Sequence, residues 1–184
     1  MRFSENRKVA CVVLALSVLV SIFGLGGMGL ARERSKVLEV YDRGTDANQT
    51  TRHSVDAYLD SAAENAALMA SEAGLHMEAS PLIDNVAQLG QKVATEADTH
   101  ARNDAFIALK TSVDQLYDAM YKAAKGDDFK NFKVAYDNFW ENVNMIKYDE
   151  YGKLAASYND LISGIPGSLV ANVTGQGPLN TFGG

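Results

Sequence analysis

Thiols are nearly absent from this chain. Cys11 is the one cysteine, which excludes an intramolecular disulfide and a thiolate metal cluster. Histidine is scarce too, with His53, His76 and His100 the whole complement, and no HExxH, GxSxG, glycine-rich phosphate loop or EF-hand pattern occurs. The residues that would identify those chemistries are missing. Only three prolines interrupt 184 residues, so long helices meet few breakers. Basic charge is also short. The formal net charge is −6, and residues 1–8 hold three basic groups and one acidic, leaving 14 basic against 22 acidic for the rest. A surface of that sign repels phosphates, so nucleic acid is set aside as a partner.

What is present begins with "VACVVLALSVLVSIFGLGGMGL", Val9 to Leu30, 22 residues without a charge behind Arg2, Arg7 and Lys8. As a helix it is about 33 Å long, enough to cross a hydrocarbon layer. A single-pass membrane anchor over residues 9–30, with residues 1–8 as a short basic flank, is therefore expected. The alternative is a cleaved leader and a secreted protein, because small residues at Gly29 and Ala31 suit a signal peptidase. Arg32, Arg34 and Lys36 balance the basic groups of the first flank. Since the first flank usually dominates, the expected orientation leaves the following domain extracytoplasmic. Gly24, Gly26, Gly27 and Gly29 include no pair four apart, so GxxxG is absent and they read as a flexible exit from the bilayer.

Beyond the apolar run, helical patterning continues to Gly44, followed by the polar run "GTDANQTT" as a loop, with Thr50 or Thr51 as the next N-cap. A helix over about 52–76 puts Val55, Leu59, Ala62, Ala66, Met69 and Ala73 on one stripe, whose alanines imply a closely approaching neighbour. Ser80 and Pro81 start a helix running to near Asp98, and another starts at Asn103 or Asp104 with Phe106, Leu109, Val113, Leu116 and Met120 inward, stopping at Gly126. The next, capped by Asp127 or Asp128, carries Phe129, Phe132, Tyr136, Phe139, Val143 and Ile146, then Tyr151, Leu154, Tyr158, Leu161 and Ile165 after a gap of five. A continuous helix to Ser163 must absorb one extra residue near Gly152 as a bulge or bend. Short connections force antiparallel neighbours. The fold expected is all-α: an N-terminal transmembrane helix, then an antiparallel up-and-down bundle of long helices with coiled-coil-like packing over residues 31–163. Residues 164–184 form an apolar Gly/Pro-containing tail packed on the bundle, because Leu169, Val170, Val173, Leu179 and Phe182 need cover.

Few residues suggest chemistry. His53 and His100 fall at one end of such a bundle and His76 at the other, so a two-histidine site with Asp98 or Asp104 is conceivable, yet no two histidines stand i, i+4 apart. No catalytic, cofactor or metal residue is assigned and no cofactor is expected. The row Phe129, Phe132, Tyr136, Phe139 and Trp140 has core spacing, although it suits the wall of a small-molecule pocket, and Trp140 stands one residue off the stripe. The sequons at Asn48 and Asn172 are read as coincidence.

"YNDLISGIPGSLVANVTGQGPLNTF" resembles the closing segment of the LemA family: a Tyr-Asn pair, Tyr158-Asn159; a bulky residue and proline, Ile165-Pro166; an apolar run with Leu169 and Val170; then Gly175, Pro178 and an aromatic, Phe182. Ser54 to Met69 stands where that family carries an Arg-Arg pair and Asp-Leu-Ile-Pro-Asn-Leu, and here reads Ser61-Ala62-Ala63-Glu64-Asn65-Ala66-Ala67-Leu68, so the resemblance is to a divergent member. It implies a membrane-anchored bundle of long helices with no catalytic residues to carry over. The function expected is non-enzymatic: an anchored scaffold or interaction protein of a bacterial cell envelope, working with another envelope protein. The alternative is a small-ligand sensor or binding module acting through a partner. A third, weaker option is a metal-dependent enzyme using the histidines.

Overall fold

A computed structural model describes residues 7–47, 50–51, 54–124 and 126–182. Helix α1 spans Arg7–Arg43, 37 residues without a break, and stops where Gly44 takes φ 74 and donates its N–H to Val40 O at 2.8 Å. Gly24, Gly26, Gly27 and Gly29 all lie inside that helix, so the flexible exit expected from them does not exist. Two short strands, β1 Asp46–Ala47 and β2 Thr50–Thr51, then pair antiparallel with Asp46 opposite Thr51. Thr50 and Thr51 are thus strand residues, not a helix cap. The cap of α2, Val55–His76, is Ser54, whose hydroxyl accepts from Ala57 N at 3.1 Å.

Helix α3 is Pro81–Thr95, begun by Ser80 as N-cap and proline at the first position as the sequence predicts. Helix α4 is Thr99–Ala123, four to five residues earlier than its apolar pattern suggested, because the Asp98 carboxylate accepts from Ala101 N at 2.8 Å and sets the start there. Asp127 and Asp128 lie in a 3-10 turn, Gly126–Phe129, where a helix cap had been expected, and α5, Lys130–Tyr148, begins without a side-chain cap. The single long helix expected to reach Ser163 is divided. Asp149 ends α5 in an extended conformation, and its carboxylate accepts from Tyr151 N at 2.8 Å to open α6, Glu150–Ser163. An aspartate between two helices is more stable as a cap than in an interior, so the five-residue gap is absorbed by a break at Asp149 instead of a bulge at Gly152. The tail holds a further helix, α7, Gly167–Thr174.

The protein is all-α apart from that two-strand ladder, and its contacts divide it into two compact units. One comprises residues 40–153 and 180–184 and contains the antiparallel bundle α2–α5. Alanines 62, 63, 66, 70 and 73 let α2 approach α3 and α5 closely. Gly90 of α3 extends this: a Cβ there would meet Ala63 O and Ala66 Cβ, each at 3.4 Å. The α4 and α5 backbones stand farther apart because aromatic rings fill the space. Phe106 meets Phe139 at 6.5 Å between centroids, and Tyr117 meets Tyr136 at 4.1 Å, a pairing that runs antiparallel. Tyr41, Tyr151 and Phe182 form a second cluster, with Tyr41 5.3 Å from Tyr151 and 5.5 Å from Phe182.

The other unit comprises residues 1–39 and 154–179. Here α7 is seated on α1: Gly26 faces the Val170 methyls, and a Cβ on Gly27 would lie 2.7 Å from Thr174 Cγ2. The α6–α7 turn requires Gly167, since a Cβ there would collide with the Leu161 carbonyl. Gly175 closes α7 at φ 70, a left-handed position that glycine takes without strain.

Candidate functional site

In the bundle unit, a groove of about 600 Å³ lies between α4 and α5. The aromatic spacing that separates these helices creates it. Phe106, Val143 and Trp140 make the apolar wall, Lys110 and Lys147 one cationic side, and Asp114 and Asp118 an acidic side. Lys110 Nζ lies 5.3 Å from the Phe106 ring centroid. Partial burial pushes the Lys110 ammonium below its usual pKa, and the nearby charge of Lys147 adds to that. At the groove's edge the Tyr136 hydroxyl donates to Asp114 Oδ1 at 3.0 Å. Tyr136 is pushed up to about 12, first by burial and then by the hydrogen bond and charge of Asp114. The Trp140 indole N–H lies near enough to oppose that shift slightly, but it is buried and makes no hydrogen bond of good geometry among the described residues. The groove therefore offers a flat aromatic surface with two ammonium groups on one side and two carboxylates on the other.

A second polar cluster is more deeply placed. Arg102 is 7% exposed, and it sits on the apolar stripe of α4, four residues before Phe106. Its guanidinium donates to Val93 O at 2.7 Å, Tyr41 Oη at 3.1 Å, Asp60 Oδ1 at 2.7 Å and Asp56 Oδ1. Burial lowers the Arg102 pKa, but the hydrogen bond to Asp56 and the charges around it outweigh that and raise it. Asp60 is raised, with burial outweighing Arg102. Four partners on three other segments satisfy most of one guanidinium, so the cluster acts as a latch between helices and has no free ligand position of its own. Sequence reading passed over the latch, and of the groove it raised only an aromatic wall that included Trp140. An arginine in phase with Phe106, Leu109 and Val113 was the signal for the latch, whereas Lys110 and Lys147 become neighbours only once α4 and α5 pair.

The sequence-derived candidates among the described residues form no common metal site. His53 lies outside the described residues. His76 and His100 are exposed at the end of α2 and in the first turn of α4, and Asp98 is engaged as a cap. Among the described residues no group of three His, Cys, Asp or Glu is arranged to hold a metal ion. Phe132 and Phe139 are fully buried core, while Trp140 lines the groove. Asn159 has a definite role within its own unit. Its amide donates to Leu179 O at 2.7 Å and accepts from Leu179 N at 2.8 Å, clamping the chain after α7.

The same unit carries the apolar surface. α1 is long and apolar enough to cross a membrane, and Leu14, Leu16, Val18, Val20 and Leu25 all project outward from it. Compared with protein-family models, with curated proteins and with solved structures, the chain matches none.

Proposed function

We propose that this chain is a divergent LemA-like protein, held in a bacterial cell membrane by α1 as a single span, with a non-enzymatic extracytoplasmic bundle that serves as a scaffold or interaction module for another envelope protein. One observation supports the anchor above others: from Ala10 to Ile22 the largely apolar side chains of α1 are exposed on every side, which in water would expose far more apolar surface than soluble domains carry. A core helix would hide them. The acidic balance of the remaining chain weighs against phosphate-bearing partners and is compatible with a protein partner.

Fractionation of cells expressing the full chain tests this. The wild type is expected in the membrane pellet after an alkaline carbonate wash at its full mass, and Leu16→Arg/Val20→Arg is expected in the soluble fraction. A wild type released by the wash, or a mature chain beginning after Ala31, overturns the anchor.

A second reading, a small-ligand module acting through a partner, is favoured by the groove between α4 and α5. Trp140 is the only tryptophan, so its emission reports on that groove alone. A saturable shift on adding short carboxylic acids, lost in Lys110→Gln, supports this reading, and a flat titration removes it.

A further inference from the structure

The anchor explains the outward side chains of α1 but leaves those of a second segment without a reason. Within the same unit, Leu161, Ile165, Leu169 and Val173 recur every four residues and are 50%, 87%, 57% and 65% exposed. They come from the end of α6, the turn and α7. Val170 and Ala171 are buried and Gly26 and Gly27 receive α7, so this short helix has both an inner face against α1 and an outer apolar face.

Where α7 sits matters. Gly26 and Gly27 belong to the uncharged run of α1, and the next charged residue along it is Arg32. At about 1.5 Å per residue, α7 lies about 8 Å on the apolar side of that first charge, the depth at which amphipathic helices rest in the headgroup–acyl boundary. Composition agrees. From Leu161 to Gly184 there is no Asp, Glu, Lys, Arg or His, whereas every bundle helix carries charged residues.

Several polar atoms of the segment are paired internally, which suits a low-dielectric setting. Ser168 N donates to Gly164 O at 2.8 Å, Leu169 N to Pro166 O at 3.1 Å and Gln176 N to Ala171 O at 2.9 Å. The hydroxyls of Ser163 and Thr174 turn back onto Asp160 O and Val170 O. These bonds lower the cost of meeting acyl chains, and the exposed Asn172 amide is left for the headgroup side.

We propose that residues 161–173 form a second lipid-contacting element, lying in the membrane interface beside α1 with Ile165, Leu169 and Val173 in contact with lipid. A lipid surface, not a soluble protein, is the partner because the outer face continues the apolar surface of α1 and carries no charge for a polar rim. This inference rests on the anchor reading. The element takes no part in crossing the bilayer; it fixes how deep α1 sits and how it is rotated.

The test uses the full chain with Cys11→Ser and one new cysteine at Val20, Leu169 or Glu141, each labelled with an environment-sensitive fluorophore. The proteins are reconstituted into phosphatidylcholine vesicles with or without brominated acyl chains. The expected result is severalfold quenching by brominated lipid at positions 20 and 169 and none at 141, an exposed charged site of the bundle. Quenching at 20 with a position 169 signal like that at 141 keeps the anchor and overturns the interfacial element. A blue-shifted but unquenched label at 169 means that a second copy covers the face, which also overturns it. No quenching at 20 removes the anchor itself, and the proposal with it.

Discussion

In the bundle the large apolar side chains are the hidden ones: Phe106, Phe132, Phe139, Leu59 and Met69 are within 1% of complete burial, and α2 spends alanine wherever another helix comes near. In the unit built from α1, the end of α6 and α7, many large apolar side chains are exposed, Leu14, Val20, Leu25, Ile165 and Val173 among them, and the small residues Gly26 and Gly27 mark the seam with α7. Helices of the two units have thus placed much of their apolar surface in opposite senses. The hydrophobic effect drives apolar area out of water but cannot drive it out of hydrocarbon, where close backbone approach at small residues takes over as the packing force. On the anchor reading proposed above, the contrast follows from the solvent around each unit.

That contrast breaks most visibly under truncation. Phe139→Ala empties a site that is completely buried among aromatic rings, and we expect a loss of about 3–5 kcal/mol from bundle stability. Leu169→Ala removes nearly as much hydrocarbon from an outward face and should change stability by less than about 0.5 kcal/mol. Urea unfolding of the full chain in detergent, followed by circular dichroism, measures both. Comparable losses at the two positions would mean that Leu169 is packed in a core, and the opposition between the units would be lost.

The parts legible in the sequence were those with long, repeated patterns. The uncharged run announced α1, and the 3,4 spacing announced the stripes of α2, α4 and α5, because burial of one face repeats at the helix period over many residues. The alanines of α2 announced a close neighbour, now seen as α3 and α5. Boundaries were less legible because single side chains decide them. Asp98, Ser54 and Asp149 each outcompete the helix interior by accepting backbone N–H groups, and any of several nearby polar residues suits that role on paper. The tail read as apolar and in need of cover, but its Gly and Pro concealed an eight-residue helix that packing on α1 makes stable. The groove was illegible for a stronger reason. Lys110 and Lys147 are 37 residues apart in sequence, and nothing local marks either as facing the other.

The smallest expected effect sharpens the water-facing side of the comparison. Tyr136 stands among solvated groups of the bundle, yet its phenol is held at about 12 against an ordinary 10.0, by burial first and by its bond to Asp114 second. Ionisation costs more in the folded chain than in the unfolded one, so the folded state retains a proton that the unfolded state has already released. Its contribution is therefore fully present below pH 10 and is lost as pH rises from 10 through about 12. Phenolate absorbance should show Tyr136→Phe removing one tyrosine from the latest-titrating class. Asp114→Asn removes only the second cause, so it should lower this midpoint part of the way toward 10 and leave the burial contribution in place. An unchanged titration in Asp114→Asn would show that the carboxylate does not bear on the phenol, and that the α4–α5 edge is more open to water than the 3.0 Å hydrogen bond implies.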